Sequence, residues 1–240
     1  MIECRLMRGL AAGGAVCAAS ALMAYAVRGR SSTLLAPSVY HGCRRRRSIA
    51  LTFDDGPSDG TLEMLKLLEQ YQARATFFVC GINVERRPDI LREVSAAGHE
   101  IGNHTYSHPA FYFRSPRFIA GELDRAQRVI HETAGRLPAL FRAPFGVRWF
   151  GLRQAQRRLN LLGVMWTVIG RDWTLTADRV TRRVLSGASN GAIVCLHDGR
   201  GLDPRPDIRN TLDALRRILP DLRARGFSFE TVSQILCPTH

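Results

Sequence analysis

SIALTFDDGPSDG (residues 48–60) runs a short apolar stretch straight into two adjacent acids, Asp54 and Asp55, and then turns at Gly56-Pro57. Two like charges where a buried strand stops read either as an acidic turn or as two carboxylates with different tasks. Side chains of neighbouring residues on an extended chain point to opposite sides, so adjacent acids can face different partners.

The same apolar-run-then-turn pattern repeats outward from that stretch. Residues 61–72 place Leu62, Leu65 and Leu68 at helical spacing, and ATFFVC (75–80) is rich in strand formers. A helix is predicted around 86–97, a short strand at HEIGNH (99–104), and a long helix from Ser115-Pro116 to about 134, with Ser as cap and Pro in the first turn. ALFRAPFG reads as strand then turn. A helix near 151–161, the strand GVMWTV, a helix over 176–187, the apolar strand AIVCLH, a helix over 207–225 ending at Gly226 and the run FSFETV complete the chain. Apolar strands alternating with amphipathic helices, in about seven repeats, predict an α/β fold with a parallel sheet.

The suspicious polar residues fall after the first, third, fourth, fifth and sixth strands, always on the C-terminal side. A barrel gathers every such loop around one mouth, whereas a doubly wound sheet collects only those at its switch point. No G-x-G-x-x-G or P-loop signature is present, which further favours a barrel over a nucleotide-binding sheet.

The 240 residues carry 34 basic and 21 acidic side chains, a formal charge of +13. Lys66 is the one lysine, so the excess is arginine, scattered except for Arg44 to Arg47. No zinc finger, helix-turn-helix or aromatic RNA-binding pattern accompanies it, so nucleic acid is not an expected partner. Attraction to an anionic surface or polymer, such as phospholipid or an acidic cell-wall glycan, fits the charge at least as well, although Arg44 to Arg47 read most simply as a solvated linker.

Residues 9–27 carry no charge, Arg5 and Arg8 precede them, and Ala24-Tyr25-Ala26 forms an A-x-A site. Residues 1–30 are therefore expected to be a signal peptide or an N-terminal membrane anchor, and 31–47 a basic, poorly ordered linker. Residues 48–240 are then the catalytic domain. Either N-terminal reading places the domain outside the cytoplasmic membrane: periplasmic, at the cell surface, or anchored. None of the six cysteines forms C-x-x-C or zinc-finger spacing. Cys80 and Cys195 end apolar runs and read as small buried hydrophobes. Nothing in the sequence reports an oligomeric state.

Five polar clusters stand at the strand ends: Asp54-Asp55; His104 and His108; Arg142 with the turn Pro144-Phe145-Gly146; Asp172-Trp173; and His197. One acid and two histidines make a familiar catalytic metal-ligand set with a position left for water. A second acid can then take a proton from that water, and a further histidine, held by an acid, can protonate a leaving group. An arginine can keep the base ionised. Together these parts suit metal-assisted hydrolysis of an amide or ester.

In this order, TFDDGP, NHTYSH, FRAPFG, GRDW and IVCLHDG closely resemble the motifs of polysaccharide deacetylases of the NodB-homology type, carbohydrate esterase family 4, across roughly 48–236. The resemblance implies a distorted (β/α)7 barrel that hydrolyses a linear amide, removing N-acetyl groups from N-acetylglucosamine in peptidoglycan or a chitin-like glycan. It implies that Asp54 is the general base and that Asp55, His104 and His108 hold a divalent metal, zinc first, with cobalt, nickel or manganese also compatible. It further implies that Arg142 tethers Asp54, that the Phe145 N–H on the Pro144 turn meets the oxyanion, that Asp172 orients the acid His197, and that Trp173 walls the acetyl pocket.

Three positions depart from those motifs. Ile169 stands where an Asp is usual, Phe145 where Tyr is usual, and Cys195 where Leu is usual. Phe111, Tyr112 and Phe113 follow His108 and could stack on sugars, touch a membrane, or pack beneath a neighbouring loop. Two rival functions fit the same residues: removal of a formyl or acyl group from a lipid-linked amino sugar, and glycan binding without catalysis. His99 and His131 lie outside the motifs and read as ordinary surface or helix residues, and Trp166 reads as core.

Overall fold

The computed structural model describes residues 16–236. A first helix, α1, covers 16–28 of the described residues. It is followed by strands β1 (Ser38–Val39) and β2 (Ser48–Gly56), helix α2 (Thr61–Gln70), β3 (Ala75–Val79), α3 (Gly81–Arg86), α4 (Pro88–Ala96) and β4 (Glu100–Asn103). The chain continues with α5 (Pro116–Ala134), β5 (Leu140–Phe141), α6 (Leu152–Arg158), β6 (Leu162–Val164) and β7 (Val168–Ile169). Helix α7 (Ala177–Gly187), β8 (Ala192–His197), α8 (Arg209–Ala224), β9 (Ser228–Phe229) and α9 (Val232–Ile235) complete it.

The sheet order is β1-β6-β5-β4-β3-β2-β8-β7, with β9 paired to the start of β2. Every ladder between these strands is parallel. The predicted strand GVMWTV is two strands, and they pair at opposite ends of that order. Six inter-strand steps separate β6 from β7, which is about 29 Å across a flat sheet. The four residues from Val164 to Val168 reach at most about 14 Å. The sheet therefore has to curl until its edges meet, and the result is the distorted (β/α)7 barrel.

The seam is closed by the segment expected to be a poorly ordered linker. Met165 N–H donates to Val39 O at 2.7 Å, Thr167 N–H to Ile193 O at 2.8 Å, and Thr167 Oγ1 to Tyr40 O at 2.7 Å. His41 bridges Ala192 antiparallel. Upstream, the buried Arg148 donates to Ser32 O at 2.5 Å and Ser38 Oγ at 3.0 Å, and also to the carbonyls of Val27 and Gly29. A linker has no such obligations. Residues 28–47 are ordered because a buried guanidinium and a barrel edge each need hydrogen-bond partners that this segment supplies.

Helix ends follow the local signals. Ser115 Oγ accepts from Phe118 N–H, Pro116 opens α5, and Gly135 closes it with φ +69°. Thr231 and Gln234 form a reciprocal capping box on α9. β2 is buried along its whole length, and Phe53, Phe77, Met64 and Leu68 pack with it between sheet and helices. Cys43 is disulfide-bonded, while Cys17, Cys80 and Cys195 are free thiols. Among the described residues no helix is long and apolar enough to cross a membrane. The N-terminal part of the expected leader lies outside the described residues.

Candidate active site

β2 delivers Asp54 and Asp55 to the mouth, but not by simple strand alternation. Asp55 has φ +73°, and the register with β3 shifts between Asp54 and Gly56. This bulge adds a residue at the strand end, so each carboxylate turns to its own set of partners. The crossing is tight. A Cβ on Gly56 would lie 2.1 Å from an Asp198 carboxylate oxygen, and one on Gly199 would lie 2.3 Å from Asp55 O. Only glycine permits this approach of the β2 and β8 loops.

Asp54 Oδ1 accepts from Arg142 Nη1 at 2.6 Å, and the same nitrogen lies 2.7 Å from Thr52 Oγ1. Arg142 is fully buried; its Nε and Nη2 donate to Val164 O and Met165 O, and its guanidinium lies over the Phe78 ring. Asp54 Oδ2 takes a longer contact from Cys195 Sγ at 3.4 Å. Burial and the nearby Asp54 charge push the Cys195 thiol well above its ordinary pKa.

Asp55 faces the histidines. Its Oδ2 accepts from Gly201 N–H at 2.7 Å. Its Oδ1 is buried without a hydrogen-bond donor, 3.3 Å from His104 Nε2 and 2.9 Å from His108 Nε2. The His104 Nδ1 lies 2.8 Å from Arg142 O; a carbonyl only accepts, so Nδ1 carries the hydrogen and Nε2 of the neutral ring offers a lone pair. A lone pair aimed at an orphaned carboxylate oxygen is repulsive unless a cation sits between them. Asp55, His104 and His108 present donor atoms within 4.8 Å of one another, and this set fits a divalent metal.

The histidine pair is set by a tight loop rather than a helix turn. Thr105 N–H donates to Asn103 Oδ1, His108 N–H to Thr105 Oγ1, and Glu122 on α5 accepts from the N–H groups of Tyr106 and Ser107. Non-glycine residues with positive φ cluster at this mouth: Asp55, Thr105, His108 and Phe145. Such backbone cost, held by surrounding contacts, is typical of functional loops.

On the adjacent strand β8, where His197 is the register partner of Asp54, His197 Nδ1 lies 2.8 Å from Asp172 Oδ1, and His197 N–H donates to Asp172 Oδ2 at 2.9 Å. Thr211 on α8 donates to the same oxygen at 2.6 Å. Burial lowers the pKa of His197, but the Asp172 charge and hydrogen bond, with help from Asp54 and Asp55, raise it to about 9. Trp173 stands edge-on to His197 and Phe145 edge-on to His108; both rings are about half exposed.

Of the residues singled out in the sequence, Asp54, Asp55, His104, His108, Phe145, Trp173, Cys195 and His197 line one cavity of about 400 Å³, while Arg142, Pro144 and Asp172 stand behind its lining. The sequence reading missed several of its walls. Trp166, expected in the core, lines it, as do Arg200 and Arg28. Arg28 comes from the end of α1, which no motif flagged. Ile169 and Cys195, two of the motif departures, are register partners on β7 and β8 and both line the cavity. The larger side chain therefore sits beside the smaller one. His99 is buried, not on the surface: its Nδ1 accepts from Ala75 N–H at 3.2 Å. Phe111 packs in the core against Phe141, whereas Tyr112 and Phe113 are exposed beside Trp149.

A charged cavity at the C-terminal mouth of a parallel barrel, holding an acid and a histidine that each have a buried partner, is the layout of a hydrolase. The chain belongs to the polysaccharide deacetylase family, whose model matches residues 41–164. A chitooligosaccharide deacetylase of Bradyrhizobium sp. is 36% identical over 198 residues, covering 79% of this chain and 90% of that protein. A peptidoglycan-N-acetylglucosamine deacetylase of Bacillus cereus is 32% identical over 195 residues, covering 80% and 70%. The crystal structure of a peptidoglycan N-acetylglucosamine deacetylase in complex with a hydroxamate-type benzamide superposes with a TM-score of 0.77 at 30% identity, covering 82% of this chain and 91% of that one.

Proposed function

We propose that the protein hydrolyses the N-acetyl amide of N-acetylglucosamine residues in a cell-wall or chitin-like glycan, outside the cytoplasmic membrane, with a divalent metal held by Asp55, His104 and His108. The observation that carries this reading is the pairing of Asp54 with Arg142 and of His197 with Asp172 in one cavity that also holds those three donors. Zinc is the first candidate, since one carboxylate and two imidazoles suit it, although cobalt, nickel and manganese accept the same donors. When bound, the metal polarises the acetyl carbonyl and lowers the pKa of a water.

The chain's own groups supply the rest. Asp54, kept ionised and aimed by Arg142, accepts a proton from the attacking water. The N–H of Phe145, on the turn that opens at Pro144, donates to the developing oxyanion. His197 protonates the departing amine, and Asp172 fixes its tautomer, with Nδ1–H on the carboxylate and Nε2 toward the cavity. Trp173, Phe145 and Trp166 give the sugar and its acetyl group apolar walls. Acetate and a free glucosamine leave.

The test is acetate release by the metal-replete protein from peptidoglycan, chitooligosaccharides and an acetylated exopolysaccharide, with formate and acyl release from lipid-linked amino sugars as the competing arm. Turnover only in the competing arm replaces the substrate class; metal binding without turnover on any of them leaves a glycan-binding protein.

A further inference from the structure

The mouth contains a second set of metal donors, separate from Asp55, His104 and His108. Cys195, near the end of β8, is 1% exposed, and its thiol approaches Asp54 Oδ2 at 3.4 Å. Two residues on, His197 uses Nδ1 for Asp172, which leaves Nε2 as its free nitrogen. A carboxylate oxygen of Asp54, Sγ of Cys195 and a ring nitrogen of His197 lie within 4.8 Å of one another, and all three residues line the same cavity. Arg142 occupies Oδ1 of Asp54 and leaves Oδ2 for another partner.

The geometry points to a second, inhibitory cation site at Asp54, Cys195 and His197, selective for thiophilic divalent ions such as excess zinc or cadmium. One sulfur, one nitrogen and one oxygen donor suit borderline and soft ions, whereas magnesium and calcium prefer oxygen alone. Binding forms a metal–sulfur and a metal–nitrogen bond and releases two protons to solvent, one from the Cys195 thiol and one from Nε2 of the acid form of His197. The thiol decides the site. A leucine at this position, as in the motif the chain resembles, would leave two donors, too few to hold an ion against water. The consequence for turnover rests on the proposed function: one ion would engage the base and the acid together, so neither could move a proton.

The experiment uses the full chain carrying Cys4→Ser and Cys17→Ser, which removes the exposed thiol among the described residues together with the other cysteine of the N-terminal segment, loaded with one equivalent of zinc. Cadmium is then titrated in while bound metal, thiolate-to-cadmium ultraviolet absorption and deacetylation rate are followed. The Asp55 site has no sulfur, so cadmium entering it gives no such band. We expect one further equivalent to bind, with the band growing as the rate falls. In Cys195→Ala and Cys195→Ser that binding should weaken by at least about 100-fold. The band should vanish, and each variant should keep its own zinc-only rate as cadmium is added. Two variants are used so that a packing defect in one does not decide the result, and circular dichroism confirms that both are folded. Absence of the band in the cysteine-containing chain, or equally tight second-equivalent binding in folded Cys195→Ser, overturns the site. If no protein turns over any glycan, the proposed function fails instead, and the band and the stoichiometry still decide the site.

Discussion

Arg142 and Arg148 are both sealed from solvent, at 0% and 2% exposure, yet one faces a carboxylate and the other only neutral oxygens. Arg142 holds Asp54 at the cavity. Arg148 holds the carbonyls of Val27, Gly29 and Ser32 and the hydroxyl of Ser38, and burial pushes its guanidinium below the usual arginine pKa. A buried cation needs either a counter-charge or a shell of dipoles. The paired arginine makes a reactive carboxylate possible. The dipole-shelled one makes architecture, drawing the end of α1 and the following segment onto the barrel and bringing Arg28 to the cavity wall.

The strongest way to break this comparison is at the pair. Arg142→Met leaves the Asp54 charge buried and uncompensated, which should cost about 3–5 kcal/mol in urea unfolding. The rate should fall by roughly 10²–10⁴ as the base loses its tether. Adding Asp54→Asn to that variant should recover most of the stability and none of the rate; a double variant as unstable as the single one would mean the pair is not what holds Arg142 in place. Asp54→Asn alone should lose a similar factor in rate while keeping its metal, whereas Asp55→Ala should lose the metal, measured by metal analysis after dialysis. Arg148→Met should be milder, about 1–3 kcal/mol for the stranded carbonyls. Its signature should be faster proteolysis within residues 28–40, with the rate falling only a few-fold.

Two titrations follow at the small end. His197 is held up at about 9 against an ordinary 6.5. Its raised folded-state pKa means that its pair with Asp172 stabilises fully below about pH 6.5 and is lost as pH rises through about 9. The acid form needed to protonate the amine disappears over the same alkaline range, so the rate profile should fall there, and Asp172→Asn should move that limb to lower pH. His99 works in the other direction. Burial, with the nearby Arg74 charge, lowers it to about 4. Its neutral form therefore stabilises above about pH 6.5, and that contribution is lost as pH falls toward about 4, because the unfolded chain takes up the proton first. Thermal melts of His99→Gln should lose less stability than the parent across that acid window.

Much of this was legible in the chain because the period of the strands and the turn residues after them are local signals. The β2, β3 and β8 runs were readable as apolar stretches, and the acids and histidines stood at their ends. The split of GVMWTV was not legible, because one apolar run cannot show that its halves pair at opposite edges of a curled sheet. Arg148, Thr211 and Arg28 carried no motif. Their roles depend on partners 116, 39 and 117 positions away in sequence, respectively at Ser32, Asp172 and Phe145.

By itself the sequence determined the alternation of elements, the barrel class and the residue types at the mouth, since these follow from side-chain periodicity and from what each group can donate or accept. Tertiary structure decided which carboxylate meets which partner. The bulge at Asp55 and the close crossing at Gly56 and Gly199 aim two adjacent acids at different groups, and that aim is a matter of distances between strands far apart in the chain. It also decided that residues 28–47 belong to the fold, because a barrel seam and a buried guanidinium acquire unmet hydrogen bonds only once the sheet has curled and the core has closed.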